Sequence, residues 1–344
     1  MIFSMLSLIA CKNKIEFKEG SSFIFSEQDT TDINTMGLGF SRLSEYGFFT
    51  GDIKDLKPSE YVHSYRLKAA LFSDYAEKER FLYLPEDKKL VYVDDDNFEY
   101  PDGCILIKNF FFEKGLVNRQ ILETRLLKKT KDKWIPLTYV WNETQTDAYF
   151  WPIGHNIQVN YNDVGGLFKY TVPDLNQCKN CHMEDGLVKP VGPFPANLNL
   201  PDRKSGKNQL LELENIIVDL PDPKAISSFV DYNDDNQKLE DRARSYLHIN
   251  CGSCHRPEGS AKTSGLNLSS GHNDGYSLGI NKSPIAAGKA SGGRLYDIVP
   301  GNPEESILLY RMENNDPAIR MPEIGRKVVH KEGVALIRRW IAEL

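Results

Sequence analysis

An α+β fold is predicted for this chain of 344 residues on three observations. Short runs of aromatic and β-branched residues recur between turn signals up to about residue 171. Apolar residues at spacings of three and four take over after about residue 238, and a proline-rich stretch separates the two patterns. The expected architecture is an N-terminal antiparallel β-sheet domain over 36–182, a Pro-rich connector over 183–223 and an all-α domain over 224–344. A leader and tether over 1–35 come first.

The strands are read at 80–84, 89–93, 105–109, 121–125 and 134–141, with Pro101, Asp102 and Gly103 marking a turn ahead of the third. Along 121–126 apolar and charged residues fall on opposite faces, so the sheet is expected to have one dry face. The acidic runs 94–96 and 231–235 lack the glycine and glutamate of a calcium-binding loop and read as solvated loops. Lys128, Lys129, Lys131 and Lys133 read as a hairpin tip.

The sheet pattern ends in Cys178-Lys179-Asn180-Cys181-His182, and the same spacing returns at Cys251-Gly252-Ser253-Cys254-His255. Cys-x-x-Cys-His is the attachment sequence of c-type haem. Two thiols at this spacing reach the two vinyl groups on one porphyrin edge as thioethers, and the next residue brings an imidazole under the ring as an iron ligand. A zinc ribbon would separate its cysteine pairs by about 15–20 residues and gives no reason for a histidine after both. A thioredoxin-type pair would not repeat that histidine either. Two covalent haems are therefore expected, on Cys178, Cys181 and His182 and on Cys251, Cys254 and His255.

In the connector, Pro190, Pro193, Pro195 and Pro201 break the chain, a short helix is expected near 209–214, and Pro221 and Pro223 break it again. Leu239, Ala243, Tyr246 and Leu247 fall on one face of a helix running into Cys251. Pro303, Glu304 and Glu305 suit a helix start, and Val334, Ile337, Ile341 and Leu344 mark a closing helix beside Trp340. Between them stands Arg320-Met321-Pro322. For the first haem, His155, His63 and Met36 are the candidate distal ligands and none is singled out, so a five-coordinate iron is an open expectation.

Covalent haem attachment requires export, and the chain opens MIFSMLSLIAC. Leu8-Ile9-Ala10-Cys11 resembles a bacterial lipobox, which implies a lipid anchor on Cys11 and a periplasmic or cell-envelope location. Four cysteines go to haem and Cys11 to lipid, leaving Cys104 as a small buried strand residue. The net charge of −6 and the lack of a basic tract exclude nucleic acid as a partner.

A helix, Cys-x-x-Cys-His, a later methionine and a closing aromatic helix resemble class I cytochrome c. On that resemblance Met321 is the distal ligand of the second haem, with Met312 its rival. Over Leu71-Phe-Ser-Asp-Tyr75, 139–148 and 320–325 the chain resembles a bacterial family of exported dihaem c-type cytochromes, many of them lipoproteins. That resemblance implies an electron-transfer protein with a redox partner protein. The β-meander ending in a haem motif is also similar to β-sheet c-type cytochromes that bind nitric oxide or oxidise hydroxylamine, in some of which a lysine is cross-linked to haem. Lys108 is the residue this suggests. The alternative function is then a haem enzyme or gas-binding protein, with an open first haem and the second as electron relay. Electron transfer is preferred, because no acid/base constellation identifies a substrate.

Overall fold

A computed structural model describes residues 37–113, 119–131, 133–161, 166–203 and 205–344. Cys11 with its lipobox, and Met36, lie outside the described residues. Among those described, no helix is long and apolar enough to cross a membrane.

The centre is a six-stranded antiparallel sheet built from β1 (Val62–Tyr65), β2 (Glu77–Tyr83), β5 (Ile105–Phe112), β6 (Gln120–Thr130), β7 (Lys133–Trp141) and β8 (Ala148–Phe150), in that spatial order. The strands β3 (Leu90–Asp94) and β4 (Asn97–Glu99) form a small separate sheet, and β9 (His155–Tyr161) pairs with β10 (Gly166–Val172) as a two-stranded ribbon. The segment read as a connector lends the parallel strand Ile217–Val218 to β3. Its Leu198, Leu210 and Ile217 are buried with Leu82, Leu106 and Leu127 of the large sheet. Each such aliphatic side chain contributes about 1.5–3 kcal/mol when removed from water.

The expectation of a single dry face is corrected. One face packs against Leu43, Phe48, Phe49 and Leu56 from the N-terminal segment, through Phe81, Ile107, Leu137 and Tyr139. The other carries two apolar patches, one under Leu198 and Leu210 and one under Val159 and Tyr170 of the ribbon. Glu123, on the charged face, is fully buried; it accepts from Arg125 Nε and Nη2 at 2.8 and 2.6 Å and from the Tyr170 hydroxyl at 2.6 Å. Alternation reports that two faces differ in chemistry; what covers each one is decided by distant parts of the chain.

The fold class is corrected too. Strand (27%) outweighs helix (24%), and the region after the sheet is not an all-α class I cytochrome c domain. The C-terminal part has helices at Leu239–Leu247, Gly275–Leu278, Ile307–Met312 and Lys331–Glu343, joined by long irregular segments with isolated bridges at Ile280–Ile298 and Tyr296–Ser306. The Gly-, Ser- and Asn-rich run between the second motif and Ile307 has no sustained apolar stripe, so nothing there propagates a helix. The turn at 275–278 is stopped by Gly279 at φ +110°, a conformation open to glycine.

The first and last of these helices form the core that holds the second motif. Tyr246, Leu247, Leu309, Met312, Ile337, Trp340 and Ile341 pack together, joined by Ala69 from ahead of β2 and Ala196 from the Pro-rich segment. Gly333 sits where the two helices meet, and a Cβ there would run into the Tyr246 ring. The segment 69–75 fastens sheet to core. Phe72 N donates to Asn250 Oδ1 at 2.9 Å, the Tyr232 hydroxyl to Ala70 O at 2.6 Å, and Lys327 N and Val328 N to Asp74 Oδ1 at 2.6 and 2.9 Å.

Candidate functional site

The first motif lies on the helix Leu175–Cys181, which Asp174 and Gln177 open with a reciprocal cap: Gln177 N donates to Asp174 Oδ1 at 2.8 Å and Asp174 N to Gln177 Oε1 at 3.1 Å. Thr138 on β7 approaches Cys178 Sγ at 3.9 Å, which sets this helix against the sheet. The second motif continues the helix Leu239–Leu247 through a π-helical turn at His248–Gly252. Asn250 steadies that turn by donating to Tyr246 O at 3.0 Å while accepting from Phe72 N. Wider turns of this kind recur at functional sites.

The two motifs meet although many residues separate them. Asp185 N donates to Glu258 O at 3.0 Å, Glu184 bridges to Gly259, and the Glu184 carboxylate takes both Lys189 and Arg256. Both motifs line a single cavity of about 920 Å³, at the upper end of the roughly 300–1,000 Å³ usual for small-molecule sites. Cys178, Cys181, His182, Cys251, Cys254, His255 and Met321 all border it.

Each motif histidine is engaged through Nδ1. The His182 Nδ1 donates to Lys189 O at 2.7 Å, and His255 Nδ1 pairs with Ser264 Oγ at 3.0 Å. Burial pushes both imidazoles down to about 4, so both are neutral at pH 7. With Nδ1 donating to the Lys189 carbonyl, the His182 lone pair sits on Nε2, the arrangement that iron-binding histidines use, while the Ser264 hydroxyl can take either role toward His255 Nδ1. Burial also pushes the Cys181 thiol up to about 11 and that of Cys251 to about 12, while Cys104, fully buried just ahead of β5 rather than within a strand, is pushed to about 12. The donor set and the cavity therefore fit two covalently held haems: two thiols and one oriented imidazole per group, around a common space.

The other sequence candidates divide. Met321 lines the cavity from the loop 320–326, and Met312 also borders it from within the C-terminal core. Arg326, 4% exposed, holds that loop: its Nε and Nη2 donate to Met321 O at 3.0 and 2.8 Å, and Nη2 also reaches the carbonyls of Met312 and Asn314 at 3.0 and 2.8 Å. His330 borders the cavity as well, stacked on Phe72 at 4.1 Å with Nδ1 3.1 Å from the Tyr246 hydroxyl. His63 and His155 do not line it. His63 is on β1 and His155 opens β9, edge-on to Trp151. From the sheet, Lys108 and Arg125 reach the cavity instead.

Sequence reasoning missed Arg326, Ser264, Glu184, Arg80 and Arg125, and it named Lys108 only through the resemblance to haem-cross-linked cytochromes. Only their three-dimensional neighbours distinguish them from ordinary polar residues. Comparison with family models, curated proteins and solved structures returned no match.

Proposed function

We propose that this protein is an exported dihaem c-type cytochrome that carries electrons, with one haem on Cys178, Cys181 and His182 and the other on Cys251, Cys254 and His255. The observation that carries the reading is the pair of Nδ1-tethered histidines, each beside its own cysteine pair, facing one cavity. Bound haem iron supplies a one-electron couple.

The chain's residues do the rest. The Lys189 carbonyl and the Ser264 hydroxyl fix the ring orientation of His182 and His255, so each presents Nε2. Met321 offers a thioether to the second group from a loop that Arg326 holds from beneath. His/Met ligation raises a reduction potential and suits electron transfer. The Glu184 clasp keeps the two motifs at a fixed separation, which an internal electron relay needs. A lipid on Cys11 would hold the protein at the cell envelope, within reach of a redox partner protein.

A second reading, an open first haem that binds a gas or turns over a substrate, is favoured by one feature. No histidine or methionine of the sheet or its ribbon borders the cavity beside the first motif, among the described residues. Carbon monoxide separates the two readings. Protein matured with covalent haem should contain two haems per chain, and zero would end the haem assignment. An unchanged reduced spectrum under carbon monoxide means two closed irons and a carrier; a shift in about half the haem means an open first iron.

A further inference from the structure

The face of the sheet that carries Leu82, Leu106 and Leu127 in cross-strand register changes character two residues along each strand. There Arg80 pairs with Lys108 and Lys108 with Arg125, so three cations stand side by side on β2, β5 and β6, and Thr138 on β7 completes the row beside Cys178. Like charges directly opposite each other on neighbouring strands destabilise a sheet, and their Cβ atoms are only about 4.5–5.5 Å apart. The chain as a whole is acidic, with 48 Asp and Glu against 42 Lys and Arg, so carboxylates to neutralise the row are not scarce. Yet only Arg125 has one, the buried Glu123. Among the described residues Arg80, 9% exposed, and Lys108 form no ion pair and no side-chain hydrogen bond, and Lys108 only lies over the Phe110 ring at 4.9 Å. Asp74, which also borders the cavity, is already used by Lys327 N and Val328 N. All three cations border the cavity that holds both motifs.

We infer that the Arg80–Lys108–Arg125 row is an anion-binding site inside the haem cavity, built for a carboxylate. Two unpaired cations and the free edge of a third, on a rigid central sheet, match the two oxygens of such a group and remove the mutual repulsion of the row. The carboxylate has two possible sources, a propionate of a bound haem or a small free carboxylate entering the cavity. The inference rests on the dihaem reading only for the first of these.

The test uses the holoprotein, its haem content measured first, with formate as the probe. If the site is open to free carboxylates, calorimetry shows saturable formate binding that weakens at least tenfold in both Arg80→Gln and Lys108→Met. If a propionate fills the site, formate does not bind, and the same variants make one haem's midpoint potential pH-dependent around neutrality as the released propionate titrates. A chain without haem that still binds formate in a row-dependent way keeps the anion site and sinks the dihaem reading. The inference is overturned if formate fails to bind, or binds equally to both variants, while the pH dependence of both potentials is unchanged.

Discussion

Arg326 donates to the Met321 carbonyl from both Nε and Nη2, at 3.0 and 2.8 Å. The same guanidinium reaches Asn315 Oδ1 at 3.2 Å and the Val328 carbonyl at 3.3 Å, so one buried side chain closes the loop on both sides of the candidate ligand. Burial lowers its pKa from the usual arginine value, but a guanidinium stays charged at any physiological pH. A loop without regular structure is thereby given a defined shape.

Arg326→Gln should leave several buried carbonyls without donors, at about 1–3 kcal/mol each, and cost at least about 3 kcal/mol in total. Denaturant unfolding of the holoprotein reads the stability. On the dihaem proposal the second haem should also lose a Met321 thioether ligand and become reactive to carbon monoxide, whereas Met321→Ala should do the latter at smaller cost in stability. A second haem spectrum and potential that stay unchanged in Met321→Ala would remove Met321 as ligand.

Gly333→Ala places a methyl group against the Tyr246 ring. The two helices must separate or the tyrosine must turn, at about 1–3 kcal/mol for overpacking. Because the Tyr246 hydroxyl faces His330 Nδ1 and Tyr246 precedes Cys251 by little more than one turn, the spectrum of the second haem should change with stability. A wild-type Tm in this variant would show that the helix contact is loose.

Acid should destabilise the fold over a defined window. Burial pushes His248 and His330 down to about 4 in the folded protein, against about 6.5 unfolded. Their contribution is complete above pH 6.5 and is lost as pH falls toward 4, since only the unfolded chain takes up the protons. Each gives a slope of up to about 1.4 kcal/mol per pH unit. Chemical denaturation between pH 7 and 4 measures it, and His248→Phe should flatten the curve. His248 Nδ1 accepts from Ser270 N at 2.8 Å, so the variant also frees that donor and lowers the plateau near neutral pH.

If the dihaem reading holds, the shared cavity predicts that the two haems interact. Soret circular dichroism of the holoprotein should show an exciton-split band, and Cys251→Ser with Cys254→Ser, which leaves one covalent haem, should return a simple one. Glu184→Gln, which loosens the clasp to Arg256 without touching a motif residue, should reduce the splitting. An unsplit wild-type band would mean that each motif works alone.

The acidic and basic surface runs illustrate how far local pattern goes. Lys128 to Lys133 stand at the β6–β7 turn, where Thr130 pairs with Lys133, as their spacing suggests. The run 94–96 stands at an exposed turn as read, and what its pattern did not show is that Asp95 also accepts from Ser227 N at 2.9 Å, far along the chain. The central strands were legible because an alternating run of aromatic and β-branched residues has few other stable forms. The C-terminal fold was not, because long Gly- and Asn-rich stretches take their shape from what surrounds them.

By its own order of residues, the chain determined the two Cys-x-x-Cys-His sites, the strands β2, β5, β6 and β7 of the central sheet and the helices that border the second motif. Those features depend on neighbours within about a dozen residues, where spacing alone dictates geometry. Only the tertiary structure decided that both motifs share one cavity, that Arg326 holds the Met321 loop, and that Arg80, Lys108 and Arg125 form one cationic row. Cross-strand register and long-range hydrogen bonds bring together residues that no local period relates, and the cost of burying each charge depends on what the fold sets opposite it.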